Sequence, residues 1–411
     1  MVWQHVGSFS PLCSEIGGRR ISPDFLMLQS PCANACAGTF AESGTKSAVW
    51  LAIKRIMDIF VIQISRVRNT TFINSNTMKI SIITALVSLA AFVSCSVSPV
   101  PQAVIFDTDM GNDVDDALAL AMLHRYADEG RVKLLGVMIN KNEPTSAEYI
   151  DMVDTYYGYG GVPIAVAERP ADSSADGRNA DGQNFVEAVV SRFDFPRSVE
   201  DYSSLPTAVS LYRQLLAGQP DHSVTIISTG FSTNLAALLV SPADDISPLD
   251  GRELLSNKVK LISVMAGNFR EEGQDRFPEY NVVRDIPSAR KFFAECPAPV
   301  AVSPFELGWE ICYPASSIES NLGYDAPNPV VEAYKVYLPM PYSRPAWDLT
   351  SVLYAVEGSK YFTGQATGTV TIDSEGVSTF TPSADGLHTL LSVAPEARQP
   401  LLDRLVELTT K

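Results

Sequence analysis

Five aspartates stand within ten residues of this chain: Asp107, Asp109, Asp113, Asp115 and Asp116. Crowded carboxylates either take up protons or bind a cation. A helix N-terminus carries roughly half a positive charge and offsets one or two acids, at about 0.3–1 kcal/mol each. It does not offset five. No His or Cys stands in the stretch, so every donor is oxygen, which selects a hard ion such as Ca²⁺ or Mg²⁺ over zinc. The plainer reading, with Asp115 or Asp116 as a helix cap and the other acids solvated, leaves most of that charge unexplained. An EF-hand does not fit: the sixth position from Asp107 is Asn112, not Gly, and the twelfth is Leu118, not Glu.

Three polar clusters follow further along. The first is Thr229-Gly230-Phe231-Ser232-Thr233-Asn234. The second is Asn268 with Pro278-Glu279-Tyr280-Asn281-Val282-Val283-Arg284-Asp285. The third is Arg344-Pro345-Ala346-Trp347-Asp348-Leu349-Thr350. Alone each is weak, since Asp285 or Asp348 could simply begin a helix.

Together, and in this order, the clusters resemble the inosine-uridine nucleoside hydrolase family. Its leading DTDxGxDDAxAL signature is present in a longer form over residues 107–120, and the resemblance runs from about residue 104 to the C-terminus. It implies an open α/β fold, one bound Ca²⁺ and cleavage of the N-glycosidic bond of ribonucleosides. It also implies roles for single residues. Asp109, Asp116 and Asp348 would coordinate the ion through carboxylates, and Thr229 through its backbone carbonyl. Asp109 would be the catalytic base that takes the proton from water. Asp115, Glu279 and Asn281 would bind ribose hydroxyls, and Asn142 and Asn268 match family asparagines near the sugar. Asp113 falls in the lengthened part of the motif and receives no role beyond that of a solvated loop acid. Members of the family are usually dimers or tetramers, so a homo-oligomer is also implied.

The chemistry is physically coherent. A cation lowers the pKa of water beside it, and a carboxylate base contributes on the order of 10²–10⁴-fold. Nearby carboxylates then stabilise an oxocarbenium-like transition state. One position departs from the family. Purine-cleaving members carry a His before the last metal Asp, where this chain has Trp347. Tryptophan stacks on a base or donates its N–H, but it cannot protonate a leaving group. His124 and His222 read as structural. Weak or absent inosine hydrolysis is therefore expected, with a ribosyl compound carrying a better leaving group as substrate.

Two rivals bear on the same residues. A Mg²⁺-dependent haloacid-dehalogenase-type phosphatase also begins with a strand and DxD, with Asp107 as nucleophile, but no later GDxxxD pair follows. A non-catalytic ribosyl-binding lipoprotein would keep the pocket and lose the chemistry.

The elements that position these residues are legible as periodic segments. An apolar run over 103–106 predicts a buried strand ahead of the aspartates, and 117–123 a helix after them. Strands are expected over 132–139, 162–167, 223–228, 259–265 and 299–302. Helices are expected over 145–157, 234–240 and 286–295, the last with Pro287 at its start. Residues 369–372 and 377–380 alternate around Ser374-Glu375-Gly376 as a hairpin, and leucines over 401–408 close the chain as an amphipathic helix. The polar, glycine-rich segment 168–184 reads either as a mobile loop over a pocket or, the commoner case, as a surface excursion. The fold class is thus α/β: an open, mostly parallel sheet with helices on both faces, plus a C-terminal β-hairpin and helix.

Composition sets the remaining bounds. The chain has 411 residues, is 46% hydrophobic and carries a net charge of −16, which argues against a nucleic-acid partner. Its six cysteines are too scattered for a disulfide scaffold. Met78-Lys79 followed by the apolar run 80–93 has the length of a signal-peptide core. The ending Phe92-Val93-Ser94-Cys95 resembles a lipoprotein cleavage box with Cys95 lipidated. The expected organisation is an upstream extension without function over 1–77, a signal peptide over 78–94, a linker over 95–102 and one domain over 103–411. The expected location is the periplasm or cell envelope, with the membrane touched only through Cys95.

Overall fold

The computed structural model describes residues 100–323 and 327–410. The signal peptide, the lipidation site at Cys95 and the upstream extension lie outside the described residues. Among the described residues no helix is long and apolar enough to cross a membrane.

Among the described residues eleven strands and thirteen α-helices follow in this order: β1 (Gln102–Thr108), α1 (Asp115–Asp128), β2 (Val132–Lys141), α2 (Ser146–Tyr156), β3 (Ile164–Ala171), α3 (Phe185–Arg192), α4 (Ala208–Ala217), β4 (Val224–Ser228), α5 (Thr233–Leu239), α6 (Gly251–Lys258), β5 (Val259–Met265), α7 (Tyr280–Val283), α8 (Ile286–Glu295), β6 (Val300–Ser303), α9 (Phe305–Glu310), β7 (Cys312–Tyr313), α10 (Ala315–Ser320), α11 (Pro329–Tyr337), β8 (Arg344–Pro345), α12 (Trp347–Glu357), β9 (Gly364–Ile372), β10 (Ser378–Pro382), β11 (His388–Ser392) and α13 (Pro395–Thr409).

Nine strands form one sheet in the order β10-β9-β11-β6-β5-β4-β1-β2-β3. From β11 to β3 every neighbouring pair is parallel. β9 is antiparallel to both β11 and β10. The expected C-terminal hairpin is therefore present, with a third strand, β11, inserted between it and β6.

Alternation along the strands divides the core between two faces, as a period of two requires. Val104 and Phe106 of β1 join one apolar cluster with α1, α2, α11, α12 and α13. Ile105, between them, joins the other with α4, α5, α6 and α8. Helices thus cover both faces, the arrangement that parallel strands need. α1 is buried nearly all round, which suits its unbroken Ala-Leu-Ala-Leu-Ala-Met-Leu run.

The order 3-2-1-4-5-6 reverses direction between β1 and β4. In open α/β sheets ligands bind outside the carboxyl ends of the strands at such a point. Asp107, at the end of β1, pairs in register with Met138 of β2 and Ser228 of β4. The loops that continue from β1 and β4 carry Asp109–Asp116 and Thr229.

Candidate active site

Four strand ends and one helix start converge on a single open hollow of about 350 Å³, a volume that includes the solvent at its mouth. The β1 loop gives Asp109, Asn112, Asp113, Asp115 and Asp116, and the end of β4 gives Thr229. From β5 come Met265 and then Glu279, Tyr280 and Asn281, from the end of β6 Phe305, and from the first turn of α12 Trp347 and Asp348. Eight of the ten candidate site residues are thus brought to one place although they lie up to 239 positions apart in number, from Asp109 to Asp348.

The β1 loop is held by its neighbours. Gly111 takes φ +104°, a conformation a side chain resists, and turns the chain between Asp109 and Asp113. Ser146 Oγ donates to the Met110 carbonyl at 2.5 Å, and Asn184 Nδ2 to the Gly111 carbonyl at 2.6 Å. Of the two readings of the glycine-rich segment, the one that sets it beside the pocket holds, since Gly177 packs against Gly111 and Asn112 of this loop. Lys141 Nζ donates to the Ser173 carbonyl at 2.9 Å, and Asp176 pairs with Arg284 at 2.6 Å.

Asp107 is a structural hub. Its buried carboxylate accepts from Asn140 Nδ2 at 2.6 Å, Tyr212 Oη at 2.7 Å and Asn234 Nδ2 at 3.3 Å, joining β1, β2, α4 and α5. Burial pushes it up to about 7, against those three hydrogen bonds. It does not line the hollow, so it offers no nucleophile there, and the phosphatase reading fails on this point.

Carboxylate oxygens of Asp115, Asp116 and Asp348 lie within 4.8 Å of one another. Asp348 donates its backbone N–H to Asp115 Oδ2 at 3.1 Å. Asp116 Oδ1 accepts from the Thr108 hydroxyl and from Thr229 Oγ1, the latter at 3.1 Å. The tight trio therefore contains Asp115 rather than Asp109. Asp109 lies on the same hollow, and its Oδ2 is buried with no hydrogen-bond partner. An unsatisfied buried charge of that kind is costly unless something fills the space beside it. Burial pushes Asp109 up to about 7, with Lys141 opposing the rise. Burial and then mutual repulsion raise Asp115, Asp116 and Asp348 well above the ordinary carboxylate range. The all-oxygen donor set, the crowding and the orphaned oxygen fit a hard divalent cation.

Sugar-side candidates divide. Glu279 caps α7, and its two oxygens accept N–H bonds from Gly267 and Asn281, each at 3.0 Å. Burial pushes it up to about 7 against those bonds. Asn281 Nδ2 donates to the carbonyls of Thr229 at 2.9 Å and Met265 at 3.1 Å, which ties β4 to β5. Asn142 and Asn268 are not among the residues lining the hollow. Asn142 is exposed just past the end of β2. Asn268 is buried and spends its side chain on the 270–275 loop, donating to Asp275 O and accepting from Arg270 N.

Asp113 is corrected. Rather than a solvated loop acid, it lines the hollow and is gripped by Arg344 through Nε at 2.9 Å and through Nη2. Trp347 belongs to a small aromatic cluster with Phe305 and Met265, flanked by Phe277 and Trp309 and separate from the main core. Its ring stacks on Phe305 at 5.5 Å, and its N–H is donated to the Phe305 carbonyl at 2.9 Å. Phe305 and Tyr280, which the motif reading passed over, both line the hollow. Phe305 directly follows Pro304 at the carboxyl end of a predicted strand, which was the available signal. Neither His124 nor His222 reaches the hollow. His124 is buried against Asp154 at 2.7 Å and stacked on Tyr159, a structural histidine as expected.

Fold and site together define the class, a ribonucleoside N-glycosyl hydrolase. More narrowly, the chain belongs to the inosine-uridine preferring nucleoside hydrolase family, whose model matches residues 104–388. Solved structures share the fold. A plant nucleoside hydrolase superposes with a TM-score of 0.56 at 20% identity, covering 75% of this chain and 99% of its own. The inosine-uridine preferring nucleoside hydrolase of Bacillus anthracis gives 0.55 at 18%, over 75% and 99%. The type III effector protein XopQ, solved with adenosine diphosphate ribose, gives 0.53 at 15%, over 76% and 96%. No curated protein gives a significant match.

Proposed function

We propose that this protein hydrolyses the N-glycosidic bond of a ribonucleoside or related ribosyl compound, with Ca²⁺ as its cofactor. The observation that carries the reading is the arrival of Asp348, from the start of α12, beside Asp115 and Asp116 of the β1 loop. Asp109, Asp116, Asp348 and the Thr229 carbonyl would hold the ion. Bound there, a hard divalent ion lowers the pKa of adjacent water and fixes its position.

The chain's own residues supply the rest. Asp109 Oδ2 is free to accept a proton from water. Asp115, Glu279 and Asn281 line the same hollow and suit a ribose with several hydroxyls. The acidic walls favour positive charge developing on the sugar, and hydroxyl contacts that tighten there add several kcal/mol. We place the protein in the cell envelope, exported by the segment 78–94 and anchored through Cys95.

A ribose-release assay over purine, pyrimidine and pyridinium ribosides tests the reading. The expected result is turnover with Ca²⁺, loss with a chelator and loss in Asp116→Ala. Tight ribosyl binding with no turnover at any pH would instead establish a binding protein.

A further inference from the structure

Among the described residues, the wall of the hollow away from the acid cluster holds no group free to protonate a departing base. None of its lining residues, among the described ones, is Lys, Arg or His. The Trp347 N–H is already donated to the Phe305 carbonyl. Burial raises the pKa of the Tyr280 hydroxyl, and the nearby charges of Asp109 and Asp176 raise it further. Both oxygens of Glu279 are engaged by backbone N–H groups, as a bound carboxylate's would be. A neutral purine or pyrimidine leaves poorly from such a site, because the nitrogen it exposes must gain a proton or carry negative charge.

What the site offers instead suits a cation. Six carboxylates line it; with Asp113 paired to Arg344 and Asp109, Asp116 and Asp348 given to the ion, Asp115 and Glu279 remain to face a substrate cation. Beside them stands the aromatic wall of Phe305 and Trp347. The rings of that wall already take cations on their faces, with the Arg344 guanidinium 5.2 Å from the Trp347 centroid and that of Arg270 5.5 Å from Phe305. Arg344 is itself neutralised by Asp113.

We propose that the preferred substrate is a ribosyl compound whose leaving group is already cationic and planar, an N-ribosylpyridinium. This rests on the hydrolase reading above. In the step, a water oxygen bonds to the anomeric carbon while the bond from that carbon to the ring nitrogen breaks. The bonding pair goes to the nitrogen, which leaves as neutral pyridine, and the water proton passes to Asp109. No acid is consumed, and the positive charge moves from the ring to the sugar between carboxylate walls.

The test compares kcat/KM of the full, Ca²⁺-supplied enzyme on three substrates: nicotinamide riboside, inosine and p-nitrophenyl β-D-riboside. The third needs no proton on departure but carries no charge. The absent acid is worth on the order of 10²–10⁴-fold to a purine, so nicotinamide riboside should exceed inosine by at least about 100-fold. It should also exceed the nitrophenyl riboside. Parity with the nitrophenyl riboside, or a better rate on inosine, overturns the cationic preference while leaving the hydrolase reading intact. No turnover of any of the three overturns both.

Discussion

The backbone N–H of Asp348 donates to Asp115 Oδ2 at 3.1 Å across 233 residues of sequence. That bond joins the first turn of α12 to the first turn of α1, two helices packed side by side on one face of the sheet. It sets the distance between the two halves of the acid cluster, and the catalytic reading follows from it.

Asp109→Asn keeps the size of the side chain and removes the base. At saturating Ca²⁺, kcat should fall by about 10²–10⁴-fold with KM changed much less. Steady-state kinetics on the best substrate checks this. A kcat within a few-fold of wild type would assign the proton to another group.

Asp113 and Arg344 should behave as a coupled pair. Arg344→Met leaves a partly buried carboxylate on a hollow lined by five other acids and should destabilise the fold by about 1–3 kcal/mol. Adding Asp113→Asn should recover much of that loss. Denaturant titration of both single variants and the double variant gives the coupling energy directly, and additive losses would show that the contact is not a working ion pair.

Gly308 leaves room for the aromatic wall. A Cβ there would lie 2.6 Å from the Trp347 Cα and 2.7 Å from its Cγ. Gly308→Ala should therefore displace Trp347 and cost about 1–3 kcal/mol. Tryptophan fluorescence should shift as well, since the ring is buried against Phe305. Wild-type stability in this variant would mean the wall yields freely.

The far end of α12 is pinned by charge. Burial tends to raise Glu357, but hydrogen bonds from Arg131, Arg404 and Lys360 outweigh it and bring the carboxyl down to about 2, from 4.5. A depressed folded pKa gives stability that is present above the unfolded value and lost as pH falls through the folded one. Glu357→Gln should thus be less stable by about 1–3 kcal/mol at pH 6. That difference should shrink below pH 4.5 and vanish near pH 2. Thermal melts of both proteins across that range provide the check, and a gap that persists at low pH would remove the charge argument.

Local signals were legible in the sequence and long-range ones were not. β5 and α8 have the bounds their residues predict, because an apolar run defines the first and Asp285 with Pro287 marks the start of the second. α6 was overlooked although Asp250 and Glu253 form a capping box, a pattern open to inspection. β11 was hidden for a different reason. Five residues of mixed polarity become a strand only because β6 and β9 both present edges to them. At the site, the aspartate loop announced its chemistry by charge density alone. The pairing of Asp113 with Arg344 spans 231 positions, and the aromatic wall draws on β5, α9 and α12. Neither is visible until the sheet brings the pieces together.

Calorimetric titration of Ca²⁺ into chelator-treated protein tests the central claim most directly. One ion should bind per chain, and Asp348→Asn should weaken it beyond the roughly 10–100-fold that loss of a mere supporting partner costs. Equal Ca²⁺ binding by wild type and Asp348→Asn, or none by either, would contradict a cation site built jointly from the β1 loop and α12.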